Sequence, residues 1–273
     1  MKLVMAFMAG LMALGSCKAR QAESGGAGPT GYTIEIAGST SVAPLMEMLV
    51  SGYLKSRPGV KININGTGSS DGIKAAAAGT SELGMSSRAL SPSEKGLGLE
   101  ERVIAADGIA VAVHPSNPVT NLTIEGIRRI YSGEITRWDE AGAGKAGRIA
   151  VVSREPGSGT RGAFEELIAL KDKLVLGATE FDGTGAIKAE VSRNPEAIGY
   201  LSLGSLDRSV KAVSIEGVEA SAANVRSGSY LMARPFILLY RKTIRPEASE
   251  FLDWILGPEG QEAVSRNWVP VTL

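Results

Sequence analysis

The sequence predicts an α/β protein of two modest lobes with mostly parallel sheets. Three observations carry that expectation: β-like runs alternate with helix-like runs, glycine and hydroxyl residues stand at the strand-to-helix junctions, and 273 residues exceed the usual size of a single core. With 44% hydrophobic and 21% charged residues the chain can bury a core. Lys plus Arg and Asp plus Glu each number 29, so the global charge suggests neither a nucleic-acid surface nor a polybasic membrane patch. An anion site, if present, must be local.

Residues 1–16 are set apart: one charge at Lys2 precedes an apolar run from Leu3 to Leu14, ending at Gly15 and Ser16. The run is short for a bilayer span and reads as a secretory signal with a cleavage site. Cys17, the single cysteine, follows in Leu14-Gly15-Ser16-Cys17, which resembles a bacterial lipobox and predicts lipidation there. The alternative is a cysteine that happens to follow an ordinary cleavage site. Residues 17–31, rich in Gly, Ser and Ala, read as a lipidated N-terminal tether.

From Tyr32 onward the expected strands are Thr33–Ala37, Val60–Asn65, Leu83–Ser86, Gly108–Val113, Ile149–Ser153, Ala197–Ser202 and Phe236–Tyr240. Val42, Leu45, Met46, Leu49, Val50 and Tyr53 recur at helical spacing, with Pro44 tolerated in a first turn. Ile73 to Ala78 follow the second glycine-rich turn as a helix start. Phe164, Leu167, Ile168 and Leu170 mark another helical face, and Glu247 to Asn267 a C-terminal one.

Three junctions concentrate the chemistry. They are Gly38-Ser39-Thr40-Ser41, Gly66-Thr67-Gly68-Ser69-Ser70-Asp71-Gly72, and Ser153 to Gly162 with Arg154, Ser158, Gly159, Thr160 and Arg161. A helix N-terminus presents unpaired N–H groups and a partial positive charge, and a loop without bulky side chains lets an anion reach them. Hydroxyls add donors, and arginine adds a planar fork suited to phosphate oxygens. Each junction alone also fits simple helix capping. Capping needs one hydroxyl, however, and the first loop offers Ser39, Thr40 and Ser41 in succession.

Sharper enzymatic motifs fail. The second loop has one residue too many for Gly-x-Gly-x-x-Gly, and the third lacks the lysine of a phosphate-binding nucleotidase loop. Pro156 stands where a nucleophile elbow requires glycine, and His114 is the single histidine. One Cys and one His leave no clustered transition-metal site, so neither an enzyme, a cofactor nor a metal is expected.

Beyond the tether, the chain resembles the PstS family, the substrate-binding proteins of phosphate ABC importers with the type II periplasmic-binding-protein fold. The resemblance rests on Ala37 to Ser41, Gly68 to Gly72, Leu83 to Arg88, Ser153 to Phe164, Asn194 to Tyr200 and Arg234-Pro235. It implies two lobes joined by two crossing strands near Ile109–Val113 and Phe236–Tyr240, with the ligand cleft between them. Lobe 1 would be discontinuous, residues 32–111 and 236–273, and lobe 2 would be residues 112–235. Carried over by position, ligand contacts fall on Thr40, Ser41, Ser69, Arg154, Ser158, Gly159 and Thr160. Ser39, Ser70, Asp71, Ser87, Arg88 and Arg161 complete the candidate set. The implied partners are inorganic phosphate and the permease subunits of the importer, for a monomer held outside the cytoplasm, on the bacterial membrane, by its lipid anchor alone.

One departure matters. Some members of the family carry an aspartate where this chain has Ser87, and a serine repels a fully ionised sulfate less than a carboxylate would. Asp71 is a candidate replacement acceptor, or equally a complement to a helix dipole. A receptor for sulfate, molybdate or tungstate is the alternative reading, and a secreted phosphoester hydrolase a more distant one. His114 reads as a loop residue and Trp138 as a packing anchor.

Overall fold

The structure, a computed structural model, describes residues 32–144, 146–170 and 173–271. The expected signal, lipidation site and tether over residues 1–31 lie outside the described residues.

The first lobe opens with β1 (Thr33–Gly38), α1 (Ala43–Leu54), β2 (Lys61–Gly66), α2 (Ser69–Ala78), β3 (Leu83–Ser86) and α3 (Pro92–Lys95). The long β4 (Leu99–Val113) then leads into the second lobe. There follow β5 (Asn121–Leu122), α4 (Ile124–Tyr131), β6 (Ala150–Arg154), α5 (Gly159–Leu167), β7 (Thr179–Phe181), α6 (Gly183–Arg193) and β8 (Ala197–Ser202). After β9 (Lys211–Ala212), β10 (Ser214–Ile215) and α7 (Ala222–Arg226), β11 (Ala233–Arg241) returns. The chain finishes with α8 (Pro246–Leu256), α9 (Pro258–Val264) and β12 (Val269–Pro270).

One sheet runs through both lobes in the order β2-β1-β3-β11-β4-β8-β6-β7. The β2-β1-β3 and β8-β6-β7 groups are each internally parallel, and they are joined by the antiparallel pair β4 and β11. Leu99 to Gly108 pair with β11, whereas Ile109 to Val113 pair with β8. β4 therefore changes partner at Gly108, just upstream of the crossing expected at Ile109–Val113. β11 likewise reaches β3 through Ile237 to Leu239, so its passage between lobes precedes the segment expected to cross.

Two main apolar cores follow from this division. Ile34, Ile36, Leu45, Leu49, Phe236 and Phe251 belong to one, and Ile109, Val111, Ile127, Trp138, Phe164 and Tyr200 to the other. Trp138 is fully buried in the second, as expected of an anchor. The C-terminal run expected as one helix over Glu247–Asn267 is broken in two. Pro258 has no N–H for a continuing helix and holds Gly257 extended, at ψ 173°. Among the described residues, no helix is long and apolar enough to cross a membrane.

Because the strands on each side are parallel, their C-terminal ends and the following helix N-termini face a common crevice, where open α/β sheets present their ligand sites.

Candidate functional site

The site is built from the junctions after β1, β2, β3, β6 and β7. Gly38 opens the first with φ +136°, a conformation an L side chain rarely adopts, and a Cβ there would lie 2.3 Å from the Met85 carbonyl oxygen. Its own carbonyl accepts the N–H groups of Thr67 and Gly68, binding the first junction to the second. Gly68, at φ +97°, then lets the chain turn into α2. Ser39, Ser41, Ser69 and Ser87 are buried at this end of the first lobe.

Their hydroxyls are linked. Ser39 Oγ donates to Ser87 Oγ at 3.0 Å, Ser87 Oγ lies 3.4 Å from Ser69 Oγ, and the Ser87 N–H donates to Ser69 Oγ at 3.2 Å. From the second lobe come Arg154, Ser158 and Thr160, all buried. Ser41 Oγ stands 2.7 Å from Thr160 Oγ1 and 3.1 Å from Thr184 Oγ1. The Arg154 guanidinium donates to Thr40 Oγ1 at 3.1 Å and to Thr184 Oγ1 at 3.3 Å. Ser70 N–H donates to the Gly157 carbonyl at 3.2 Å. Gly159 is required here by proximity, since a Cβ would fall 2.1 Å from Ser69 Oγ and 2.8 Å from Ser87 Oγ.

Arg154 is 2% exposed, and its charge is balanced by Glu155 through contacts of 2.7 and 2.6 Å. Glu155 also accepts the Gly183 N–H at 3.3 Å, tying the arginine to the start of α6. Ser158 caps α5 by accepting the Arg161 N–H. The arrangement is a ring of buried donors and exchangeable hydroxyls around a guanidinium at the N-termini of α2, α5 and α6, suited to a small oxyanion.

Of the thirteen candidate ligand residues, Ser39, Thr40, Ser41, Ser69, Ser87, Arg154, Gly159 and Thr160 meet in this cluster, with Ser158 at its edge. Four do not reach it. Asp71 is exposed in the first turn of α2, 3.8 Å from Lys74, and lines a recess of about 530 Å³ with Thr67, Asp182 and the cluster residues Thr40 and Glu155. Among the described residues it makes no hydrogen bond to the cluster hydroxyls, and its place in the first turn of α2 suits the helix dipole. Arg88 is held bidentately by Glu94 at 2.7 and 2.8 Å and reaches Ser70 Oγ, so Ser70 faces the arginine. Arg161 is engaged by Glu165, Glu180 and the Arg154 carbonyl.

Two cluster residues lie outside the sequence-based set, Thr184 and Glu155. Thr184 stands in Asp182-Gly183-Thr184-Gly185, the same glycine-hydroxyl pattern as the other junctions, but its strand has three residues and no legible alternation.

Two lobes hinged on antiparallel strands, with polar helix N-termini converging between them, define a bilobal solute receptor of the periplasmic-binding-protein type. Residues 23–259 match the PBP superfamily domain. A phosphate-binding protein PstS of Staphylococcus epidermidis is 30% identical over 275 residues, covering 94% of this chain and 84% of its own. The match to the phosphate-binding protein PstS 2 of Streptococcus agalactiae is 40% identical over 144 residues and spans about half of each protein, 49%. Among solved structures, one described as a phosphate ABC transporter substrate-binding protein with bound phosphate, from Clostridium perfringens, shares 45% identity at a TM-score of 0.86. It covers 88% of this chain and 100% of that one. An ABC-type phosphate transport receptor from Vibrio cholerae shares 34% identity at 0.74, with the same coverage. The chain belongs to the PstS family of phosphate-binding proteins within the PBP superfamily.

Proposed function

We propose that this protein captures inorganic phosphate between its lobes, outside the cytoplasm, and delivers it to the permease subunits of an ABC importer without acting as an enzyme. The observation that carries the reading is the contact of Arg154 from one lobe with Thr40 from the other, inside a buried hydroxyl cluster. An anion bonded to both sides favours the closed state over the open one by its differential affinity, and a closed form is what a transporter can recognise. Hydrogen bonds to a charged group contribute about 1.5–3 kcal/mol each, and micromolar affinity requires about 8 kcal/mol, so half a dozen such donors suffice.

In this reading Ser39, Thr40, Ser41, Ser69, Ser87, Arg154, Ser158, Gly159, Thr160 and Thr184 form the phosphate site. Lobe 1 comprises residues 32–108 and 236–273 and lobe 2 residues 109–235, a boundary three residues earlier than expected because Ile109 to Val111 pair with β8 and Ile109 and Val111 pack in the second core. The mature protein acts as a monomer anchored through acylated Cys17. Mass spectrometry of the membrane-extracted protein tests the anchor: an unmodified Cys17 removes it.

Calorimetric titration with phosphate, sulfate and arsenate tests the ligand. Phosphate is expected to bind at micromolar concentration or below, and absence of heat with phosphate would sink the reading. A receptor for another tetrahedral oxyanion is favoured by one feature: the hydrogen-bond partners of Ser87 in the cluster are serine hydroxyls, and the cluster carboxylate of Glu155 is turned to Arg154 and the Gly183 N–H. Sulfate binding tighter than phosphate would select that alternative.

A further inference from the structure

The Gly199-Tyr200 step of the Asn194–Tyr200 segment contributes nothing to the hydroxyl cluster, yet it touches each second-lobe element that enters it. β6 pairs with β8 through Ala150↔Ala197 and Val151↔Ile198, while its pairing with β7 continues to Arg154↔Phe181. Past Val151, β6 has therefore lost its backbone neighbour on the β8 side. The Glu155 N–H is directed at the Phe181 carbonyl of β7, so in the alternating ladder the peptide groups of Arg154 point the other way. A buried peptide group left unpaired is costly.

Two side chains take the place of the missing strand. Tyr200 Oη accepts the Arg154 N–H at 3.2 Å and shares a hydrogen bond of 2.9 Å with Ser153 Oγ. Arg161 Nη1 donates to the Arg154 carbonyl at 2.8 Å. The Tyr200 ring stacks on Phe164 of α5 with centroids 3.9 Å apart and planes 10° from parallel. It thus joins the tip of β6 to the helix that presents Gly159 and Thr160. On the opposite face of β8, a Cβ at Gly199 would lie 2.8 Å from Val191 and 3.1 Å from Ile187 of α6. Absence of a side chain there brings α6, and Thr184 at its start, close to the sheet.

We propose that Tyr200 and Arg161 are positioning residues that substitute for a strand partner at Arg154 and so fix its guanidinium for the anion; the binding consequence rests on the phosphate reading above. A planar fork delivers its bonds only when its base is held within a fraction of an ångström. Arg161 accordingly acts through Arg154 and not as a ligand.

The test has one arm without ligand and one with it. In the unliganded protein, NMR amide exchange at Arg154 is expected to be slow and to accelerate at least tenfold in Tyr200→Phe, while the Arg154 carbonyl carbon shift is expected to move upfield in Arg161→Met, with Arg161→Lys partly restoring it. Fast exchange in the native protein overturns the proposal whatever the ligand proves to be, and it remains measurable if Tyr200→Phe does not fold. In the liganded arm, Tyr200→Phe is expected to weaken phosphate binding about tenfold in the native background and by less than twofold in an Arg154→Ala background. Equal affinity of Tyr200→Phe and native protein, or an undiminished loss without Arg154, overturns it too. Failure of the native protein itself to bind phosphate refutes the phosphate reading instead, and the exchange arm then decides the positioning role alone.

Discussion

Asp107 and Arg234 stand opposite one another on β4 and β11, and two guanidinium N–H groups of Arg234 converge on one Asp107 oxygen at 2.9 and 3.1 Å. The other oxygen accepts from Ser202 Oγ, while Arg234 Nη1 is buried without a partner. Burial pushes the Asp107 carboxyl up and the Arg234 guanidinium down, so desolvation outweighs their attraction. The pair marks the place where the strands pass between lobes, and a buried pair of this kind is expected to add little net stability. Arg234→Met alone is expected to destabilise by about 3–5 kcal/mol, since it strands a buried carboxylate. Adding Asp107→Leu should recover most of that loss. Urea unfolding checks both, and a double variant as unstable as the single one would refute this account.

Gly159 separates closure from folding. Its Cβ would collide with Ser69 and Ser87, and the three atoms nearest to it all belong to the opposite lobe. Gly159→Ala is thus expected to keep the melting temperature within a few degrees while weakening phosphate binding by about 100-fold or more. Small-angle scattering should find no compaction on adding phosphate. Compaction equal to that of the native protein would place the lobes differently from the geometry described.

Arg154→Ala removes bonds to Thr40 and Thr184 together with the cluster's buried positive charge. A guanidinium that turns two charge-assisted bonds to the anion contributes about 3–6 kcal/mol, so a loss of affinity of at least 100-fold is expected by calorimetry. Glu155 is partly exposed and rehydrates, which limits the cost to folding. Unchanged affinity would exclude Arg154 from the site.

The parallel strands β1, β2 and β6 are legible in the sequence because each ends in a glycine-hydroxyl turn, and those same turns carry most of the cluster. The first half of β4 is not legible: Leu99-Glu100-Glu101-Arg102 lacks apolar alternation because this stretch is largely exposed, and its partner, β11, returns only after the whole second lobe. Thr184 escapes for a related reason, since β7 has three residues and its pairing with β6 is a tertiary fact. Asp71 and Arg161 illustrate the converse. Their proximity in sequence to Ser69 and Thr160 suggests ligand contact, but helical geometry turns them toward Lys74 and toward Glu165 and Glu180.

The Arg88–Glu94 pair predicts a defined acid response. Hydrogen bonding from Arg88, opposed by burial and aided by Ser91, lowers the Glu94 carboxyl from 4.5 to about 2. A carboxyl with a depressed folded-state value binds protons less readily folded than unfolded, so its contribution is present above pH 4.5 and is lost as pH falls toward about 2. Gln at position 94 keeps an oxygen for the Ser91 N–H, which completes the capping box of α3, but loses the charge that holds Arg88. Glu94→Gln is therefore expected to be less stable than the native protein by about 1 kcal/mol at pH 6, after allowance for solvent screening. The difference shrinks below pH 4.5 and vanishes only as the pH falls through about 2. Because Arg88 packs over Gly162 of the opposite lobe, the variant should also loosen that edge of the closed form, raising proteolysis between Ser86 and Leu97. Urea melts across that pH range read the difference directly, and one that does not change with pH would show that the charge of Glu94 contributes nothing.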